Sequence, residues 1–208
     1  MLIILFLNPV LLYYLSDTID LMKIIFIVLF FSLNLFAQSI DFYKEDITFK
    51  LTPTKIYISG LYYFKNKTDK IQKNLIYFPV IPTCIINVAD SIDIFNLSKL
   101  HSVEISKKTS NGFFFILETG ANDSTIYQIQ YQQDICGDSA LYVLESTQKW
   151  GKALSSGIYK IIVPDSLKIA YFSYKPDSTY HFTNFNIYYL EKKDFIPDRD
   201  IVLKFKNF

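Results

Sequence analysis

From Ile47 onward the chain is cut into short runs in which apolar and polar residues alternate, a period that buries one face only as a β-strand. Ile47, Phe49 and Leu51 interleave with Thr48, Lys50 and Thr52, and Pro53 stops the run. Residues 55–64 give a second strand marked by Ile56, Ile58, Leu61 and Tyr63, and the change of phase at Ser59-Gly60 reads as a bulge. The polar stretch 66–70 reads as a turn that makes 75–80 the second arm of a hairpin. Signals are mixed over 79–99, with short strands expected at 85–88 and 92–95. Further strands are predicted at 103–106, 113–118, 125–132, 141–146, 158–163, 168–174, 180–190 and 201–205. The intervening Asn111-Gly112 and Asn122-Asp123 pairs tolerate the positive φ of turns.

No run of ten or more residues beyond 38 carries a capped 3.6-residue period. About ten short strands with frequent turns predict an all-β fold, an antiparallel β-sandwich, with a closed β-barrel as the second choice. The 19 Phe and 16 Tyr suit half-buried pleated surfaces, although an AT-rich genome would enrich the same residues.

The first residues have a different character. Lys23 followed by an apolar stretch to Ala37 has the order of a cleavable export signal, too short to span a bilayer and interrupted by Asn34. The expected cut follows Ala37. Residues 1–21 hold a second apolar run, with Asn8, Pro9, Asp17 and Asp20, and are not a basic signal start. The simplest account begins translation at Met22; the rival inserts both runs as a hairpin or an uncleaved anchor. The expected organisation is therefore 1–21 as an upstream extension, 22–37 as a hydrophobic signal helix and 38–208 as one sandwich domain. With Lys23, Asp17 and Asp20 removed, 20 basic residues face 18 acidic ones. That balance steers the domain toward neither nucleic acid nor an anionic membrane surface, leaving the signal segment as the expected membrane contact.

Export places Cys84 and Cys136 in an oxidising compartment, where a disulfide is expected; two separate buried thiols are the plainer reading. Neither cysteine has a CxxC partner or a neighbouring histidine, so the sequence offers them no metal or nucleophile role. His101 and His181 stand eighty residues apart without clustered carboxylates. Glu45 with Asp46, and Asp198 with Asp200, are the carboxylate pairs a glycosidase would need, but both read as strand-end or turn residues. The single tryptophan, Trp150, reads as a plug at one end of the core or as a surface ring for sugar or protein contact. Asn66, Asn96 and Asn122 begin N-glycosylation triplets. No glycine-rich phosphate loop is present, and no metal or cofactor is expected.

The stretch Gly60-Leu61-Tyr62-Tyr63-Phe64-Lys65-Asn66-Lys67-Thr68 leading to Ile76-Tyr77-Phe78-Pro79, with the later Phe195-Ile196-Pro197-Asp198-Arg199-Asp200-Ile201-Val202-Leu203, resembles VIT-type β-sandwich domains and equally suits exported bacterial β-sandwich families. The resemblance covers two short segments and implies a non-catalytic structural or interaction module, although VIT domains usually precede a von Willebrand A domain with a metal site. The sequence thus leads to an exported, non-catalytic β-sandwich that binds a protein or cell-envelope component, in the periplasm, outer membrane or medium. A carboxylate-type hydrolase and a small-ligand carrier with an internal apolar cavity are the alternatives.

Overall fold

A computed structural model describes residues 40–80, 91–135 and 137–206. The signal segment, the expected strand at 85–88 and both cysteines, Cys84 and Cys136, lie outside the described residues. The first strands in chain order are β1 (Ile40–Leu51), β2 (Lys55–Asn66), β3 (Gln72–Pro79), β4 (Asp93–Asn96), β5 (His101–Ser102), β6 (Ile105–Thr109) and β7 (Gly112–Thr119). They are followed by β8 (Ser124–Asp134), β9 (Ser139–Tyr142), β10 (Leu154–Pro164), β11 (Ile169–Phe172), β12 (Ser178–Phe182), β13 (Phe185–Phe195) and β14 (Ile201–Phe205). A 3-10 turn, Glu145–Trp150, sits between β9 and β10.

The strands form one large sheet in the order β12-β13-β10-β1-β2-β8-β4-β5 and two small ones, β11-β14-β9 and β3-β7-β6. None closes into a barrel. All pairings among the described strands are antiparallel except one: β1 runs parallel to β10, with Lys44 opposite Ser156 and Lys50 opposite Ile162. Ring contacts show how the layers meet. Phe78 and Phe115 reach Tyr131 and Tyr127 of β8 at 5.9 and 5.7 Å, so the β3-β7-β6 sheet covers that part of the large sheet. Tyr142 of β9 meets Phe49 of β1 at 5.2 Å, and Phe172 of β11 meets Tyr188 of β13 at 4.9 Å, so the β11-β14-β9 sheet covers the part from β1 to β13, while the edge strand β12 stays exposed. Alternation along each strand sends Ile47, Phe49, Ile58, Tyr127, Ile129 and Ile161 into this shared core.

Four expectations are corrected. The bulge lies in β1, between Phe42 and Lys44, while β2 keeps an unbroken register through Ser59-Gly60. Gly60 serves a packing need instead: a Cβ there would come within 2.6 Å of the Tyr62 ring. The 55–64 and 75–80 strands do not form a hairpin, since β2 pairs β1 and β8 whereas β3 pairs β7. The buried Asn66 side chain turns the chain between the layers, donating to the carbonyls of Lys70 and Gly120, each at 2.7 Å. Residues 180–190 fold as the β12-β13 hairpin through Thr183, which has a φ of 56°. Fourteen strands form among the described residues, where about ten were expected, because several are only two to five residues long.

Candidate ligand-binding face

The β1 bulge has a specific effect on one side chain. It shifts the inward phase from Ile40 and Phe42 to Glu45, Ile47 and Phe49, which turns Glu45 into the core. Tyr159 Oη donates to Glu45 Oε1 at 2.5 Å, and the hydroxyls of Tyr62 and Tyr142 bond each other at 3.0 Å nearby. Burial pushes the Glu45 carboxyl up to about 7, only partly offset by the Tyr159 bond. Burial also raises the Tyr62, Tyr131, Tyr142 and Tyr159 phenols. The cavity beside Glu45, at the seam between the small sheets, measures ≈ 50 Å³. That is room for water rather than an organic ligand.

Asp46 points to the opposite face of β1, so Glu45 and Asp46 are not a facing pair, nor do they lie at a strand end. Asp198 is taken by Arg199 at 2.6 Å, and Asp200 Oδ1 accepts from the backbone N–H groups of Leu144 and Glu145. The expected carboxylate sites therefore separate into a buried proton site, a surface ion pair and a backbone cap. Trp150 ends the 3-10 turn, with its ring 5.7 Å from Phe42 and 5.5 Å from Phe64. His101 lies exposed on β5, and the exposed His181 Nδ1 is 3.3 Å from Asn186 Oδ1 and 3.6 Å from Asp165. Among the described residues no three His, Cys, Asp or Glu side chains gather as a metal site.

The outer face of the large sheet is different. No described strand covers it, and it carries two adjoining grooves of ≈ 370 and ≈ 610 Å³. Both fall in the size range of small-molecule sites. The first is floored by Thr48, Lys50, Tyr57, Ser59, Gln130 and Gln132, and the second by Ile158, Tyr180, Phe182, Ile187 and Tyr189. Strand register aligns these side chains in rows across the sheet. One row reads Ser178, Tyr189, Lys160, Thr48, Ser59, Gln130, Asp93; the next reads Tyr180, Ile187, Ile162, Lys50, Tyr57, Gln132. Gln130 Nε2 donates to Ser59 Oγ at 3.1 Å, holding one amide in place along its row. Tyr180 and Tyr189 meet edge to face at 5.8 Å, and Lys160 Nζ lies 5.8 Å from the Tyr189 ring centre. Tyr57, Tyr180 and Phe182 remain 41%, 59% and 69% exposed, so their rings are accessible.

No protein-family model matches the sequence, and no curated protein does. The fold is similar to that of a putative nutrient binding protein from Legionella pneumophila, with a TM-score of 0.63 at 13% identity over 80% of this chain and 67% of that one. It is also similar to an M1 zinc metallopeptidase from Deinococcus radiodurans, with a TM-score of 0.50 at 8% identity over 80% of this chain. This chain spans 42% of the peptidase's length. Its own sequence contains no H-E-x-x-H run.

Proposed function

We propose that this chain is an exported, non-catalytic binding module that takes up a small organic ligand on the outer face of its large sheet. The observation that carries the reading is the asymmetry of that sheet: one face is covered by two small sheets, and the other holds two grooves of ligand size built on rigid strands. Beside Glu45, within the core of the described residues, the space is only ≈ 50 Å³, too small for an organic ligand. The fold shared with a putative nutrient binding protein supports ligand capture, and the export order of residues 22–37 agrees with a ligand met outside the cytoplasm.

Amide chemical-shift mapping against mixtures of amino acids, short peptides, sugars and nucleosides tests the proposal. The expected result is a concentration-dependent shift confined to β1, β2, β8, β10, β12 and β13 residues of the outer face. Shifts absent for every mixture, or confined to the small sheets, refute it.

A further inference from the structure

The rows on the outer face specify more than a generic groove. Adjacent strands lie about 4.8 Å apart, so the seven-residue row from Ser178 to Asp93 extends roughly 29 Å and presents one side chain per strand. A ligand crossing the strands meets a new contact at each step. An extended peptide advances about 3.3 Å per residue and falls out of step with that spacing. A chain of pyranose rings has a repeat close to the strand spacing and stays in step.

The side-chain chemistry points the same way. Thr48, Ser59, Gln130 and Gln132 offer uncharged donors and acceptors side by side, matching the paired hydroxyls of a sugar ring. Tyr57 lies beside them, and Tyr180 and Tyr189 stand at the far end of the rows, supplying aromatic surfaces for the apolar faces of sugar rings. The charges along the face, Lys50 and Asp93 in the first groove, Lys160 in the row between the grooves and Glu191 in the second, balance in sign and favour no ionic ligand. We infer that the outer face binds a linear, uncharged oligosaccharide lying across the strands, from the Tyr180 and Tyr189 end to the Gln130 and Gln132 end. This rests on the binding function proposed above and names its ligand class.

The test is calorimetric titration and amide-shift mapping of the protein produced from its full chain. The probes are cellohexaose, xylohexaose and N-acetylchitohexaose, with their trisaccharides, hexagalacturonate as the acidic counterpart and a neutral hexapeptide. At least one neutral hexasaccharide is expected to bind with shifts along both rows, and its trisaccharide about tenfold more weakly. Tyr57→Ala and, separately, Gln130→Ala are each expected to weaken binding about tenfold while leaving the thermal midpoint unchanged. Preference for hexagalacturonate or the hexapeptide on this face overturns the ligand class and leaves the binding function standing. A face silent to every probe and to the small-molecule mixtures overturns both. Binding that survives both substitutions unchanged overturns the assigned position.

Discussion

Tyr159 on β10 leans back over Gly157, which stands directly opposite Glu45 in the parallel β1-β10 register, and so brings its hydroxyl to 2.5 Å from the Glu45 carboxyl. The groups facing that carboxyl are tyrosine hydroxyls from four strands: Tyr62, Tyr131, Tyr142 and Tyr159. A carboxylate there loses its hydration and receives one strong hydrogen bond in return, which is why its proton is held up to about 7 against an ordinary 4.5. Below pH 4.5 the group is protonated both folded and unfolded, and its contribution to stability is fully present. As the pH climbs from 4.5 to about 7 the unfolded chain gives up a proton that the folded one keeps, so stability falls, by about 3 kcal/mol in total. Urea unfolding midpoints at pH 5, 6 and 7.5 are expected to decline accordingly, and Glu45→Gln is expected to flatten that decline. Equal slopes for the two proteins would count against a raised Glu45.

The same region sets a steric requirement. A Cβ on Gly157 would lie 2.7 Å from Tyr159 Oη, and one on Gly60 would lie 2.6 Å from both Cε2 and Oη of Tyr62. Each Gly→Ala change is expected to cost 1–3 kcal/mol through overpacking. The two sites differ in what relieves them. At Gly157 the closest atom is the hydroxyl, with ring carbons at 3.1 Å, so Tyr159→Phe is expected to recover part of the loss; at Gly60 the ring itself obstructs, and Tyr62→Phe recovers little. Double-mutant cycles in thermal unfolding measure the contrast, and additive effects at Gly157 would contradict it.

These features mark where the sequence was readable. Alternation gave the strands and the wet phase of Thr48 with Lys50 and of Gln130 with Gln132, because burial of one face leaves a period of two; in β2 it marked Leu61 and Tyr63, whereas the unbroken register buries Tyr62 and Phe64 instead. It did not give the rows, since opposing residues on β1 and β10 are over a hundred positions apart and no local signal fixes a long-range register. The β1 bulge left a trace, as Ile40 and Phe42 alternate in one phase and Ile47, Phe49 and Leu51 in the other. A glutamate in an inward position obscured that trace, because acidic residues read as solvent-facing.

Asn66 illustrates how a motif match is decided by burial. Its side chain is fully buried and makes five bonds, donating to the Lys70 and Gly120 carbonyls and more weakly to that of Thr119, and accepting from the Thr68 amide at 2.9 Å and hydroxyl at 2.8 Å. Asn66→Ala is expected to destabilise by roughly 3 kcal/mol. Asn66→Asp is expected to be no better at neutral pH, because it turns a carboxylate oxygen toward two carbonyls. Expressed in a eukaryotic secretory host, the folded chain is expected to carry no glycan at Asn66 or at the equally buried Asn96, whereas Asn122 in its exposed turn remains available. Glycopeptide mapping checks all three positions together.

The expected Cys84 to Cys136 bridge can be approached from the strands that lead to it. Phe78, near the end of β3, and Tyr131, near the end of β8, touch with ring centres 5.9 Å apart. From there the chain runs six residues to Cys84 and five to Cys136. Six extended residues span up to about 20 Å, so the chain lengths from these two starting points permit a bridge. Those starting points are held by Val80 N donating to Asn111 O at 3.0 Å and Ile135 N donating to Thr54 O at 2.7 Å. A bridge would close a loop of about fifty residues and stabilise the fold by about 4 kcal/mol on the chain-entropy account. Peptide mapping of the protein purified without reductant is expected to recover the two cysteine peptides linked, and Cys84→Ser and Cys136→Ser are expected to lower the urea midpoint equally. Recovery of both cysteines alkylated in denaturant without prior reduction would refute the bridge.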